Sequence, residues 1–282
     1  MDNRWQNGIP RIGRKTYNAN KILDLIPAGS HLVDVFGGGA CVTLHALAKG
    51  KWDTITYNEL SPHVYRLVDE LIFQKKQVDL EKLCFTTREQ FKAVLAKPES
   101  EYTLEDEIIR LFLSFGYCQR TFLFGKKIFP QKMLATHALL RGDSGTELDK
   151  VYDESSKQST LAGKRSVWRK HFHDDNCLQQ LEQVERLQQI ERLNLDYREL
   201  KIKPDDIVYC DPPYAGAHGY TDVPPFDEEA FVNWYMNCPA KEIYISEYTV
   251  LPGTELVADL GSKHSFKALA TRRNELLLKV VR

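Results

Sequence analysis

Short apolar runs alternate with turn residues and amphipathic stretches along this chain. Leu32-Val33-Asp34-Val35-Phe36 reads as a buried strand, opens into Gly37-Gly38-Gly39, and is followed by helical spacing over residues 41–48. Thr54-Ile55-Thr56-Tyr57 predicts a second strand, Ile207-Val208-Tyr209-Cys210 another, and Glu242-Ile243-Tyr244-Ile245-Ser246 one more. A terminal strand pair includes Leu276-Leu277-Leu278-Lys279-Val280-Val281. Between these, residues 107–113 and 132–140 read as helices, Gly142-Asp143-Ser144-Gly145 as a turn, and 153–159 as a polar loop. Leu178, Leu181, Val184, Leu187 and Ile190 recur at helical spacing and predict a core-facing helix that returns the chain to the sheet. Strands alternating with helices predict a doubly wound α/β sheet. Residues 1–69 and 176–282 are expected to form it, and 70–175 a mainly helical insertion.

Composition narrows the class. With 282 residues, 43% of them hydrophobic, the chain has enough apolar mass for one large core or a core plus a smaller lobe. Cysteines stand at 41, 84, 118, 177, 210 and 238 with no C-x-x-C pair, which predicts reduced thiols rather than a zinc site or a disulfide framework. His171, His173, Asp174 and Asp175 are potential metal ligands without a partner cluster, so no metal is expected. No apolar stretch is long enough to cross a bilayer and Met1-Asp2-Asn3-Arg4-Trp5 is no signal peptide, so the expected location is the cytoplasm.

Net charge is only −1, but it is unevenly spread. Residues 118–173 hold 11 lysines and arginines against 5 acids. That concentration is the electrostatic footprint of a duplex-binding surface, and a solvated loop is the plainer reading. Aromatics and glycines interleave with the charge in Arg120-Thr121-Phe122-Leu123-Phe124-Gly125-Lys126-Lys127, a mixture able to meet phosphates and bases together. Arg120, Lys126 and Lys127 are the candidate contacts, with Phe122 and Phe124 supporting the loop.

Chemistry concentrates in Asp211-Pro212-Pro213-Tyr214, directly after the apolar run 207–210. Two prolines remove backbone donors and stiffen the strand tip, holding an acid and an aromatic ring in fixed relation. Such a tip suits a planar ring bearing an exocyclic amine: the Asp211 carboxylate and the Pro212 carbonyl accept its hydrogens while Tyr214 stacks on its face. The glycine loop lacks both the dinucleotide spacing and a P-loop Gly-Lys-Ser/Thr, so it is not built for pyrophosphate. Glu59, at the tip of the next strand, is placed to accept ribose hydroxyls.

Taken together, these residues resemble the DNA adenine-N6 methyltransferases of the Dam-like, D12 class, over nearly the whole chain. Arg11-Ile12-Gly13-Arg14-Lys15 with the amphipathic Ile22-Leu23-Leu25-Ile26 resembles that family's opening cofactor motif. The family usually has Trp where Arg11 stands and Gly where Arg14 stands, which leaves Lys15 as the matching contact. The stretch Asp34, Val35, Phe36, Gly37, Gly38, Gly39 resembles its glycine motif, and Asn58-Glu59 its ribose-binding acid. Leu195-Asp196-Tyr197 resembles the motif whose acid faces the cofactor's adenine, and Asp211 to Tyr214 its catalytic motif. The resemblance implies a Rossmann-like methyltransferase sheet with an inserted target-recognition lobe, S-adenosyl-L-methionine as methyl donor and no metal. It implies a double-stranded DNA substrate whose target adenine is flipped into the pocket, within a bacterial or phage-infected cell and with a possible restriction endonuclease partner. Cytosine-N4 methylation, or a noncatalytic DNA-binding protein on the same fold, are the alternative readings.

Overall fold

A computed structural model describes residues 8–9, 13–76, 78–79, 83, 86–114, 118–122, 153–154, 157–160, 162–163, 166–167, 185–214, 223–261 and 274–281. Seven strands form one sheet: β1 (Gly29–Asp34), β2 (Trp52–Asn58), β3 (Ile190–Leu193), β4 (Ile207–Cys210), β5 (Glu242–Glu247), β6 (Thr254–Gly261) and β7 (Glu275–Val280). Their order is β3-β2-β1-β4-β5-β7-β6. The first five in that order run parallel, and β7 lies antiparallel between β5 and β6. The order in which successive strands are added reverses between β1 and β4, and that crevice, at the carboxyl ends of the strands, is where open α/β sheets bind ligands.

Burial follows the sheet order. All four residues of β4, at the centre, are buried, as parallel strands covered on both faces must be. At the edge, β6 alternates irregularly and slips register near Leu256–Ala258 and again near Asp259–Gly261. Such irregularity blunts an exposed strand edge. Helix α1 (Ala19–Leu25) precedes β1, and α2 (Cys41–Lys49) follows it, with residues 41–47 all buried. Gly50, in the left-handed region, ends α2 by returning its N–H to the Ala46 carbonyl.

The chain divides into two compact units, Arg14–Tyr65 with Arg186–Arg282, and Met1–Gly13 with Arg66–Glu185. The division at 65 lies inside α3 (Pro62–Val68). Arg66 is drawn into the second unit by Glu70, 3.0 Å away, and by the Tyr102 carbonyl. In that unit α4 (Arg88–Leu95) and α5 (Leu104–Phe112) each begin with a reciprocal capping box, Thr87 with Gln90 and Thr103 with Asp106. Phe122 packs on Phe91 at 5.2 Å and beneath the Arg88 guanidinium. Of the helices expected here, residues 107–112 of that at 107–113 lie in α5 with Leu113 as its C-cap, and that at 132–140 lies outside the described residues.

One expected element is corrected. Leu187 and Ile190 of the expected helical stripe are buried, while Leu178, Leu181 and Val184 lie outside the described residues; Glu185–Gln189 is a 3-10 turn and Ile190 opens β3. Pairing of residues 190–193 with Ile55 to Asn58 of β2 overrides the local helical spacing.

Candidate active site

The glycine loop is set by contacts on both sides. Val35 donates to the Tyr209 carbonyl, and Gly37 N–H donates to the Asn58 carbonyl at 2.7 Å. A Cβ on Gly37 would sit 2.3 Å from the Tyr57 ring, so only glycine fits. The Tyr57 hydroxyl donates to the Gly38 carbonyl at 2.8 Å, and Gly38 itself takes φ +54°. A Cβ there would meet nothing nearer than the Phe36 carbonyl at 3.9 Å, so the loop keeps an open approach on that side. Gly39 is buried, and Phe36 faces an aromatic cluster with Tyr197, Phe226 and Phe231 at 5.5–5.9 Å.

Three acids surround this loop. Asp34, at the end of β1, is fully enclosed and accepts the Thr43 hydroxyl at 2.6 Å. Burial pushes its carboxyl up to about 7, and the charge of Asp211 adds to the shift. Glu59 accepts the Ser61 N–H at 2.8 Å while its own N–H donates to Leu193. Asn58 ties three segments together, donating to the carbonyls of Val35 and Leu195 and accepting from Leu195 N–H, at 3.0–3.1 Å. Asp196 caps the short turn Tyr197–Glu199, and its carboxylate is gripped by Arg198 at 2.8 and 2.7 Å, which holds it below the usual range.

The tip of β4 carries a cluster of polar side chains. Lys15 is 2% exposed, and its ammonium meets Asp211 Oδ1 at 2.6 Å, Tyr214 Oη at 2.6 Å and Glu275 Oε1 at 3.0 Å. Tyr214 in turn donates to Glu275 Oε1 at 3.1 Å, and Asn18 donates to Glu275 Oε2 at 2.8 Å. Burial raises the Asp211 carboxyl; Lys15 opposes that and Glu275 reinforces it. Burial alone would lower Lys15, but the two carboxylates outweigh it and leave the ammonium raised. Pro212 is buried and Pro213 half-buried. The Tyr248 ring, one residue past β5, lies edge-on to Tyr214 with centroids 4.4 Å apart.

Glycine loop, acid-tipped second strand and the Asp211–Tyr214 tip therefore all sit at carboxyl ends of β1, β2 and β4, on one edge of the sheet. The sequence matches the model of the D12 class N6 adenine-specific DNA methyltransferases over residues 12–233. The chain belongs to that family. No curated protein gives a match. The protein is accordingly an adenine-specific DNA methyltransferase, an enzyme whose substrate is DNA and whose family chemistry implies S-adenosylmethionine as donor. Its sheet is the Rossmann-like type that the family carries.

Several residues that touch these motifs escaped sequence reasoning. Glu275 and Tyr248 lie beyond the matched stretch, and Asn18 and Thr43 look like ordinary helix-flanking polar residues. The one available signal for Glu275 was an acid opening an apolar strand. Lys15, expected at the cofactor, has its ammonium on the Asp211 tip. Of the candidate DNA contacts, Arg120 is exposed in the helical unit, while Lys126, Lys127 and Phe124 lie outside the described residues. So do His171, His173, Asp174 and Asp175. Among the described residues no group of metal-ligating side chains occurs and no helix is long and apolar enough to cross a membrane.

Proposed function

We propose that this methyltransferase acts on an adenine flipped out of duplex DNA, with Asp211, Pro212, Pro213 and Tyr214 as its catalytic tip. The observation that carries the reading is the Asp211 carboxylate at the sheet's switch point, 19% exposed and joined to Tyr214 through one ammonium. Adenine's amine is a poor nucleophile because its lone pair is conjugated with the ring. Asp211 and the Pro212 carbonyl accept its two hydrogens and favour the pyramidal nitrogen of the transition state, a preorganised electrostatic contribution. Because burial raises Asp211, it is a better proton acceptor than an exposed carboxylate. Tyr214 supplies the stacking face, and duplex adenine reaches it only by leaving the helix.

The residues present suit S-adenosylmethionine. Open space over Gly38 admits a ligand against the backbone, and the buried acids Asp34 and Glu275 with the half-buried Asp211 complement a sulfonium cation. Asp34, Phe36, Gly37, Gly38 and Gly39 would line the ligand, Glu59 would accept the ribose hydroxyls, and Asp196 would face the adenine. That donor supplies a methyl group on a good leaving group. Lys15 balances the charge of Asp211 at the transfer end. The helical unit, with Arg120, Lys126 and Lys127, is proposed to hold the duplex.

Incubation with labelled S-adenosylmethionine and unmethylated duplex DNA, followed by nucleoside analysis, tests the reading. N6-methyladenine is the expected product. Label in N4-methylcytosine, or none at all, contradicts it.

A further inference from the structure

We propose that Glu275 is a positioning residue of methyl transfer, giving Lys15 a second counter-charge so that Asp211 is released to the target amine. The inference rests on the reading of Asp211 as amine acceptor. An ammonium has three hydrogens, and Lys15 directs them to three oxygens: Asp211 Oδ1, Tyr214 Oη and Glu275 Oε1. With Asp211 as the sole carboxylate, the full attraction of a buried cation would fall on the oxygen that the amine needs. Glu275 divides that attraction. It also orients the ring hydroxyl, since Tyr214 accepts from Lys15 and donates to the same Glu275 oxygen.

Glu275 is itself well fixed. It opens β7, where it pairs with Gly261 of β6, and the next residue, Leu276, pairs with Glu247 at the end of β5. Antiparallel direction is what delivers the start of β7 to the carboxyl edge of the parallel strands. Asn18 holds its second oxygen at 2.8 Å, and the side chain is 3% exposed. Two carboxylates enclosed with one ammonium leave an excess of negative charge, an arrangement of little use to stability alone.

Electrostatics provides a readout that a merely structural role would not move. Asp211 is faced by Lys15 before α1, Glu275 of β7, Asp34 of β1, Tyr209 of β4, Tyr214 beside it, and Glu247 and Tyr248 at the end of β5. Among these the negative charge of Glu275 pushes the Asp211 carboxyl upward. Removing it moves Asp211 down, and with it the acid limb of the transfer rate.

The experiment is single-turnover methylation by Glu275→Gln across pH, with S-adenosylhomocysteine binding measured by calorimetry. The expected result is a rate reduced about tenfold or more, as for loss of a charge-assisted hydrogen bond, with near-normal ligand affinity and the acid limb shifted to lower pH. Glu275→Asp, which keeps the charge but withdraws it, should lower the rate with an acid limb near that of the wild type. An unchanged rate in either variant overturns the proposal, as does a slowed Glu275→Gln whose acid limb has not moved. Asp211→Ala run alongside separates the two readings. If that variant retains turnover the catalytic assignment fails, whereas normal Glu275→Gln beside inactive Asp211→Ala overturns the role of Glu275 alone.

Discussion

Asp34 holds its proton far more tightly in the folded protein than in the open chain, 3.8 becoming about 7 through burial. The folded state therefore binds the extra proton, and stability is greatest below the unfolded value. It declines as pH rises from about 4 towards 7 and levels off above that, at up to about 1.4 kcal/mol per pH unit from this group. Asp34→Asn should flatten that decline while keeping an acceptor for Thr43. Urea unfolding of both proteins at several pH values checks it; parallel curves would assign the slope elsewhere. Tyr214 yields a second expectation at this scale. Tyr214→Ala removes the ring proposed as the stacking face, worth about 1–3 kcal/mol per base, so kcat/KM should fall roughly 5- to 150-fold. Tyr214→Phe keeps the face and loses only the hydroxyl shared with Lys15 and Glu275, so it should lose less. Equal losses would mean that the hydroxyl, not the ring, is the working part.

Of the three glycines in the loop between β1 and α2, which sequence treats alike, packing distinguishes Gly37 from Gly38. At Gly37 a methyl group collides with the Tyr57 ring, so Gly37→Ala should cost stability, about 1–3 kcal/mol as for an overpacked core. At Gly38 the space is open but the backbone is left-handed, so Gly38→Val combines a strained φ with a side chain over the approach to the loop. It should lower S-adenosylhomocysteine affinity more than it lowers melting temperature. Thermal unfolding and calorimetry on the two variants check the contrast. Elements were legible where their patterns were strong. Apolar runs at 32–36 and 207–210 point to β1, whose residues 32–34 are buried, and to β4, buried throughout. In contrast β3 was hidden, because Ile190-Glu191-Arg192-Leu193 is short, half polar and continues a helical spacing. Only its pairing with β2 makes it a strand.

Across the whole molecule, motif residues were legible because each lies at a strand tip next to a local signal: glycines after β1, an acid after β2, prolines after β4. Glu275 and Tyr248 were not, since what makes them neighbours of Tyr214 is the placement of β5 and β7, which no local spacing encodes. The uneven charge is a property of the whole chain and carries its own expectation. Neutralising Lys126 and Lys127 together should weaken binding to cognate and scrambled duplexes alike, and flatten log affinity against log salt by about 0.9 per lost phosphate contact. Filter binding over a salt series measures it, and an unchanged slope would remove these lysines from the DNA surface. The most direct measurement of the account is single-turnover methylation of duplex DNA by Asp211→Ala, with S-adenosylhomocysteine affinity determined on the same protein. The account predicts retained affinity and abolished formation of N6-methyladenine; retained affinity with transfer near the wild-type rate would contradict it.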